Sequence, residues 1–157
     1  IIALPYAVDG LHSFEFWSEN FFAVFPNDDV HAKLDSISSD ELATANLMLL
    51  GEGHCLTDQT LSVCHFDRAE MKSSFSDASL NTLIQMALAN MGTTLVPEMA
   101  LDQLHLHNQN AVAVPLAEAG PHRHIAFVTR LNYARVDDVN LLGNVFKQAL
   151  EEAANKS

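Results

Sequence analysis

The chain is poor in cysteine: it has two, Cys55 and Cys64, among 157 residues. Small domains that are held together by disulfides are much richer in cysteine, so this class of protein is excluded. We expect a cytoplasmic protein, in which thiols stay reduced and a disulfide that does form is transient. Both cysteines fall within one short segment, which therefore carries the most information about function.

Basic residues are also scarce. The chain has 8 Lys and Arg residues against 20 Asp and Glu residues, which gives a formal net charge of −12 at pH 7. Proteins that bind nucleic acid present clustered positive charge to the phosphates. We therefore expect no direct contact between this chain and DNA.

Long apolar runs are absent as well. A membrane-spanning helix needs about 20 consecutive apolar residues, and no stretch of this length occurs. We therefore expect no membrane partner. The apolar fraction of 48% is nevertheless sufficient for an ordinary folded core.

Short apolar runs alternate with helical patterns along the chain, which predicts an α/β fold with largely parallel sheets. The predicted strands are Ile1–Leu4, Phe21–Phe25, Leu47–Leu50, Ser73–Ser76, Thr93–Val96, Ala111–Val114 and His124–Thr129. The predicted helices are a short one after the capping box Ser38–Glu41, then Cys55–Cys64, Leu80–Gly92, Glu98–Leu104 and an amphipathic closing helix that carries Phe146 and Leu150. Segments rich in turn residues, expected to be connections, are Val8–Ser13, Asn108–Asn110 and Ala117–Pro121. We expect the apolar face of the closing helix to lie in the core.

The predicted helix between the two cysteines would keep them apart. With about 1.5 Å of rise and roughly 100° of rotation per residue, they would lie ~13–14 Å apart along the axis and on opposite faces. A disulfide requires Cα atoms within about 7 Å of each other. Oxidation of the pair would therefore have to unwind or rebuild this helix, which is the behaviour of a redox switch.

The two cysteines are expected to differ in reactivity. Cys55 would open the helix, where the partial positive charge and unpaired N–H groups of the amino terminus stabilise a thiolate. A thiolate attacks peroxide and becomes a sulfenic acid, although a buried and inert cysteine is the ordinary alternative. Cys64, flanked by Val63 and Phe66, is expected to be buried while reduced and to act as the resolving thiol once the segment opens.

The segment Leu47–Cys64 resembles the sensing segment of a known family, the OxyR-type, peroxide-responsive members of the LysR-type transcriptional regulators. The resemblance is carried by Gly53-His54-Cys55-Leu56, followed by Asp58-Gln59 and a second cysteine at position 64. Supporting pieces occur along the chain in the family's order, at Ser79–Leu83, Gly92–Pro97 and Pro121–Ile125.

This resemblance implies an effector domain like a type 2 periplasmic binding protein, with two α/β lobes joined by crossing strands. Residues 18–123 would form one complete lobe that carries the cysteines. Residues 1–17 and 124–157 would form part of the other lobe, whose first half would be missing. The winged helix-turn-helix that binds DNA, and a threonine of the peroxide pocket, would also lie outside this chain.

The resemblance also implies partners and site residues. It implies a homodimer or tetramer formed through effector domains, contact with RNA polymerase, and resetting of a Cys55–Cys64 disulfide by glutaredoxin or another thiol reductant. His54, Asp58 and Arg123 would belong to the peroxide pocket. Asp58 would accept a hydrogen bond from peroxide or water, because its charge opposes a thiolate, and Arg123 would offset that charge.

More ordinary interpretations of these residues stay open. Asp58 is also typical of a solvated residue in a first helical turn, and Arg123 of a surface ion pair. Thr57 and Gln59 are interpreted as ordinary residues of a helix start.

Eight histidines raise the question of a metal site. Two pairs have a spacing of two residues, His105 with His107 and His122 with His124. Zinc sites usually need three or four ligands, and no spacing in this sequence assembles them. We therefore expect neither a metal nor a cofactor.

The predicted function is the redox-sensing regulatory domain of a hydrogen peroxide-responsive transcription activator, in the bacterial cytoplasm and at the nucleoid when bound to DNA. Its product would be a conformational signal, so we expect that it is not an enzyme. Two alternatives stay open. The chain is an effector domain that binds a small organic ligand between its lobes, with incidental cysteines, or it is a thiol peroxidase.

Overall fold

The computed structural model describes residues 1–5, 8–51, 53–67, 74–75, 78–104 and 110–154. Its strands are β1 (Ile2–Leu4), β2 (Leu11–Glu19), β3 (Phe21–Pro26), β4 (Leu49–Leu50), β5 (Ser74–Phe75), β6 (Leu95–Pro97), β7 (Ala111–Pro115) and β8 (Arg123–Arg130). Its α-helices are α1 (Ser39–Thr44), α2 (Cys55–Cys64), α3 (Leu80–Leu88) and α4 (Val136–Ala154). Two short 3₁₀ helices are formed by Val30–Lys33 and Glu98–Ala100. None of the described helices is long and apolar enough to cross a membrane.

The chain divides into two compact units. Unit 1 comprises Ile1–Ser18 and Arg123–Ser157, and unit 2 comprises Glu19–His122. Unit 1 holds a three-stranded sheet in the order β1-β8-β2, with β1 antiparallel to β8. Unit 2 holds a three-stranded sheet in the order β6-β3-β7 and a parallel pair formed by β4 and β5.

Strand β3 is the centre of unit 2 because nearly all of its side chains are apolar and buried. It pairs with β6 on one edge and with β7 on the other. The main core cluster surrounds it and includes one of the two thiols: Phe21, Ala23, Phe25, Ile37, Leu42, Leu47, Leu49, Cys64, Leu95, Val114 and Leu116. The helix with the first cysteine and the sheet of unit 2 thus share one core.

Helix α1 begins as the sequence predicts. The Ser38 hydroxyl accepts a hydrogen bond from the Glu41 backbone N–H, and the Glu41 carboxylate accepts one from the Ser38 N–H. This reciprocal capping satisfies two backbone donors that a helix start otherwise leaves without partners.

The prediction of largely parallel sheets was wrong for the described strands. The pairs β1–β8, β3–β6 and β3–β7 are antiparallel, and β4–β5 is parallel. A continuous apolar run reports burial on both faces of a strand, and a central antiparallel strand such as β3 meets that condition equally well.

Three element predictions were also wrong. The segment Val8–Ser13 is not only a connection, since β2 starts at Leu11 directly after a turn in which Gly10 has φ +73°. The helix Glu98–Leu104 is reduced to one 3₁₀ turn, Glu98–Ala100. Helix α3 ends at Leu88 instead of Gly92, because the backbone turns back toward the sheet through positive-φ residues, Asn90 at +57° and Gly92 at +149°.

The expectation that the apolar face of α4 lies in the core was wrong. None of the described residues of α4 is buried. Phe146 packs against Phe16 and Phe127 with ring centroids 5.6 Å away, but it stays 39% exposed. Leu141, Leu142 and Val145 are exposed as well, so the described residues of unit 1 leave much of the apolar side of α4 uncovered.

Candidate functional site

Helix α2 spans Cys55–Cys64, as predicted. It starts after Gly53, whose φ of +86° is tolerated by glycine, and after His54, which is extended and makes no side-chain capping bond. It ends at His65, which adopts the left-handed conformation and donates its backbone N–H to the Leu61 carbonyl. The turn before Cys55 and the cap after Cys64 therefore place the two cysteines at the two ends of one helix.

The two thiols have opposite environments. Both are free, with Cys55 exposed in the first turn and Cys64 3% exposed in the last turn. Burial, assisted by the nearby Glu118 carboxylate, raises the pKa of Cys64 to about 12. The predicted burial of Cys64 is confirmed, and its thiol is held in the unreactive protonated form.

The ends of α2 are too far apart for a disulfide. The helix has 10 residues, so its terminal cysteines are separated by ~13–14 Å along the axis. A disulfide needs Cα atoms within about 7 Å. The reduced structure therefore has to lose this helix before the two sulfur atoms can bond.

The inward face of α2 is partly polar. Thr57, Gln59 and Thr60 are all buried. The Thr57 hydroxyl donates a hydrogen bond of 3.0 Å to the Leu50 carbonyl of β4. A cavity of about 10 Å³, roughly the room for one water molecule, lies against the same face. Helix α2 therefore packs against the rest of unit 2 through apolar contacts and at least one buried hydrogen bond.

Sequence reasoning missed the role of Thr57, which it interpreted as an ordinary helix-start residue. A signal was present in the spacing, because positions 57, 60, 61 and 64 repeat at intervals of three and four and share one helix face. The predicted burial of Cys64 would have placed Thr57 on the inward face as well.

Two predicted pocket residues are neighbours of Cys55 in the chain. His54 precedes it, and Asp58 follows within the same first turn, with both side chains exposed. Arg123 is buried and forms the first residue of β8, in unit 1. Its place in the peroxide pocket stays a prediction.

Glu118 is a second residue that sequence reasoning missed, because it falls in the segment Ala117–Pro121 that was interpreted as a connection. Its Oε1 accepts a hydrogen bond of 2.7 Å from the Ser39 N–H at the start of α1. Partial burial opposes its ionisation, but the hydrogen bonds from Ser39, a further backbone hydrogen bond and the nearby His122 together hold the pKa of Glu118 below its ordinary value. An anionic carboxylate therefore acts on the Cys64 thiol, which disfavours a second negative charge there.

Two described histidines, His122 and His124, make hydrogen bonds within the protein. Phe21 donates its N–H to His122 Nδ1 at 2.8 Å, so the proton lies on Nε2, which donates to the Glu118 carbonyl at 2.9 Å. His124 Nδ1 lies 2.9 Å from the Ser18 hydroxyl. Within the described part of the chain no three His, Cys, Asp or Glu side chains could hold a metal, and His105 and His107 lie outside that part.

Comparisons with known proteins give the family. The LysR substrate binding domain matches residues 1–151. The chain is 32% identical to the HTH-type transcriptional regulator EstR of Acinetobacter baylyi, over 94% of this chain and 49% of that protein. It is 29% identical to a probable hydrogen peroxide-inducible genes activator of Streptomyces viridosporus, over 97% of this chain and 49% of that protein. The chain thus spans about half the length of the curated relatives it matches.

A solved structure agrees with these relatives. The reduced form of the regulatory domain of OxyR2 from Vibrio vulnificus superposes with a TM-score of 0.79 at 34% sequence identity. The match covers 93% of this chain and 68% of that one.

Proposed function

This chain belongs to the LysR substrate-binding domain family, and we propose that it is the redox-sensing regulatory domain of a hydrogen peroxide-responsive transcription activator. The predicted α/β effector-domain fold is the fold of that family. One observation carries the proposal: an exposed thiol and a buried thiol occupy the two ends of a single helix. Relatives that are named peroxide-inducible gene activators support it.

The first step would take place at Cys55. Its thiolate attacks one oxygen of hydrogen peroxide, the O–O bond breaks, and hydroxide leaves. The sulfur loses two electrons and becomes a sulfenic acid, while the peroxide oxygens are reduced. We propose that His54 and Asp58 border this reaction from the start of α2.

The second step would require α2 to open. With a pKa of about 12, only on the order of 10⁻⁵ of Cys64 is thiolate at pH 7. The residue is also locked in the core, so the segment has to unwind before Cys64 reaches Cys55 and loses its proton. Its sulfur then attacks the Cys55 sulfur, hydroxide leaves from the sulfenic acid, and this hydroxide takes up the thiol proton to give water.

The outcome would be a changed surface on unit 2. This change is a conformational signal, and the chain would not consume peroxide catalytically. In the whole protein we expect a dimer or tetramer of effector domains to pass this change to a DNA-binding domain and to RNA polymerase. Glutaredoxin or a similar dithiol reductant would reset the disulfide. We expect such a regulator in the cytoplasm.

Peptide mapping after one equivalent of hydrogen peroxide tests the proposal. We expect a stoichiometric Cys55–Cys64 disulfide in the parent chain and none in Cys55→Ser. In Cys64→Ser, oxidation should stop at a sulfenic acid that dimedone traps. Sustained peroxide consumption with a reductant would instead indicate a thiol peroxidase.

A second candidate is supported by the family match, because the matched domain is described as a LysR substrate binding domain. In this case the chain would sense a small organic ligand and the cysteines would only pack. Cys55→Ser would then leave the regulatory response of the whole protein intact.

A further inference from the structure

A buried hydrogen bond ties α2 to the neighbouring strand. Thr57 Oγ1 donates to the Leu50 carbonyl at 3.0 Å, and both residues are buried. The donor lies between the two cysteines in sequence, and the acceptor lies outside the helix. This bond therefore exists only while α2 is folded and docked.

The proposed disulfide and this hydrogen bond exclude each other. Cys55 and Cys64 meet only if the helix between them unwinds, and unwinding moves the Thr57 hydroxyl away from Leu50. The contact thus stabilises the dithiol form and contributes nothing to the disulfide form.

We propose that Thr57 is a positioning residue that sets the redox equilibrium of the Cys55–Cys64 pair through its hydrogen bond to Leu50. This inference rests on the proposed function and deepens it. The relevant equilibrium is the exchange of the protein dithiol and oxidised glutathione for the protein disulfide and two molecules of reduced glutathione. A loss of stability that is confined to the docked dithiol form shifts this exchange toward the disulfide.

Thr57→Val tests the proposal because valine keeps the branched shape and removes the hydroxyl. A buried carbonyl that loses its donor destabilises the docked form, so we expect the equilibrium constant for oxidation to rise about five- to thirtyfold. For a two-electron couple this change makes the reduction potential about 20 to 45 mV more negative. Thr57→Ser keeps the hydroxyl and should stay near the parent value.

The chain offers a matched control. Thr93 Oγ1 donates to the Val24 carbonyl, also at 3.0 Å and fully buried, in the same unit but outside α2. Thr93→Val should lower the stability of the dithiol and disulfide forms alike, and should leave the reduction potential unchanged.

The measurement is the ratio of disulfide to dithiol in glutathione buffers of known ratio, quenched with acid and read by mass spectrometry. The proposal is overturned if Thr57→Val keeps the parent potential, or if Thr93→Val shifts the potential as much as Thr57→Val. Should a valine variant fail to fold, Thr57→Ala and Thr93→Ala are compared on the same terms. A parent chain that forms no Cys55–Cys64 disulfide in any buffer would contradict the proposed function itself, which separates the two failures.

Discussion

Removal of the Glu118 charge should make Cys64 more reactive while α2 stays folded. The perturbation is Glu118→Gln, in a Cys55→Ser background that leaves one thiol. The glutamine oxygen can still accept the hydrogen bond from Ser39 that Glu118 accepts. The variant therefore changes charge much more than shape.

The magnitude follows from the pKa of Cys64. With a pKa of about 12 instead of 9.0, the thiolate fraction at pH 8 is on the order of 10⁻⁴, against about a tenth for an ordinary thiol. Burial is the larger cause of this rise and the Glu118 charge the smaller one. We therefore expect Glu118→Gln to raise the thiolate fraction roughly three- to tenfold, and by no more than about thirtyfold.

The assay is the rate of Cys64 alkylation by iodoacetamide at pH 8, followed by mass spectrometry. In concentrated urea all variants should react at one rate, because the thiol is then exposed in each. Glu41→Gln is the control, since it weakens the cap of α1, the helix that Glu118 also contacts, without removing the Glu118 charge. Equal native rates for Glu118→Gln and its parent, or an equal acceleration by Glu41→Gln, would refute the electrostatic reasoning.

Three further outcomes are expected from unit 2. Gly92→Ala should lower the free energy of unfolding by more than about 2 kcal/mol in urea titrations, because the new Cβ would lie 2.2 Å from the Asn46 carbonyl at a φ of +149°; an unchanged midpoint would contradict this. His122→Ala should cost about 2–4 kcal/mol by thermal melting, because it removes the acceptor of the buried Phe21 N–H and leaves a cavity; a loss below about 1 kcal/mol would count against it. The pKa of Glu118 is lower in the folded chain, so its stabilisation is present above the ordinary value of 4.5 and is lost as pH falls through the folded value. The stability difference between the parent and Glu118→Gln should therefore shrink as pH falls below 4.5, and a constant difference would contradict it.

Local sequence signals were sufficient for the elements that depend on few neighbours. The capping box at Ser38 predicted the start of α1, and the glycine before His54 with the cysteine spacing led to the bounds of α2. The apolar run from Phe21 predicted β3 because a strand that is buried on both faces carries apolar side chains at successive positions. These features depend on backbone capping and burial, which act within a few residues.

Contacts between distant segments could not be predicted in the same way. The Glu118 carboxylate reaches Cys64 only because the chain after β7 runs beside the start of α1, where Ile37 bridges Leu116. The Thr57 hydrogen bond needs β4 directly beneath α2. The direction of the strands paired with β3 likewise depends on the path of the whole chain and not on the composition of each run.

The polar residues on the inward face of α2 bear on how readily the segment can open. A buried leucine side chain contributes about 1.5–3 kcal/mol to docking, whereas a buried hydrogen bond contributes about 0.5–1.5 kcal/mol net. When the segment unwinds, water solvates the polar side chains of Gln59 and Thr60, so opening costs less than it would for two leucines at these positions. Leucines there would hold Cys64 in the core after Cys55 had been oxidised, and a weakly docked helix would expose Cys64 before any peroxide arrived. On the proposed mechanism, a polar inward face would place the docking free energy between these extremes, where oxidation of one sulfur atom would be enough to open the helix.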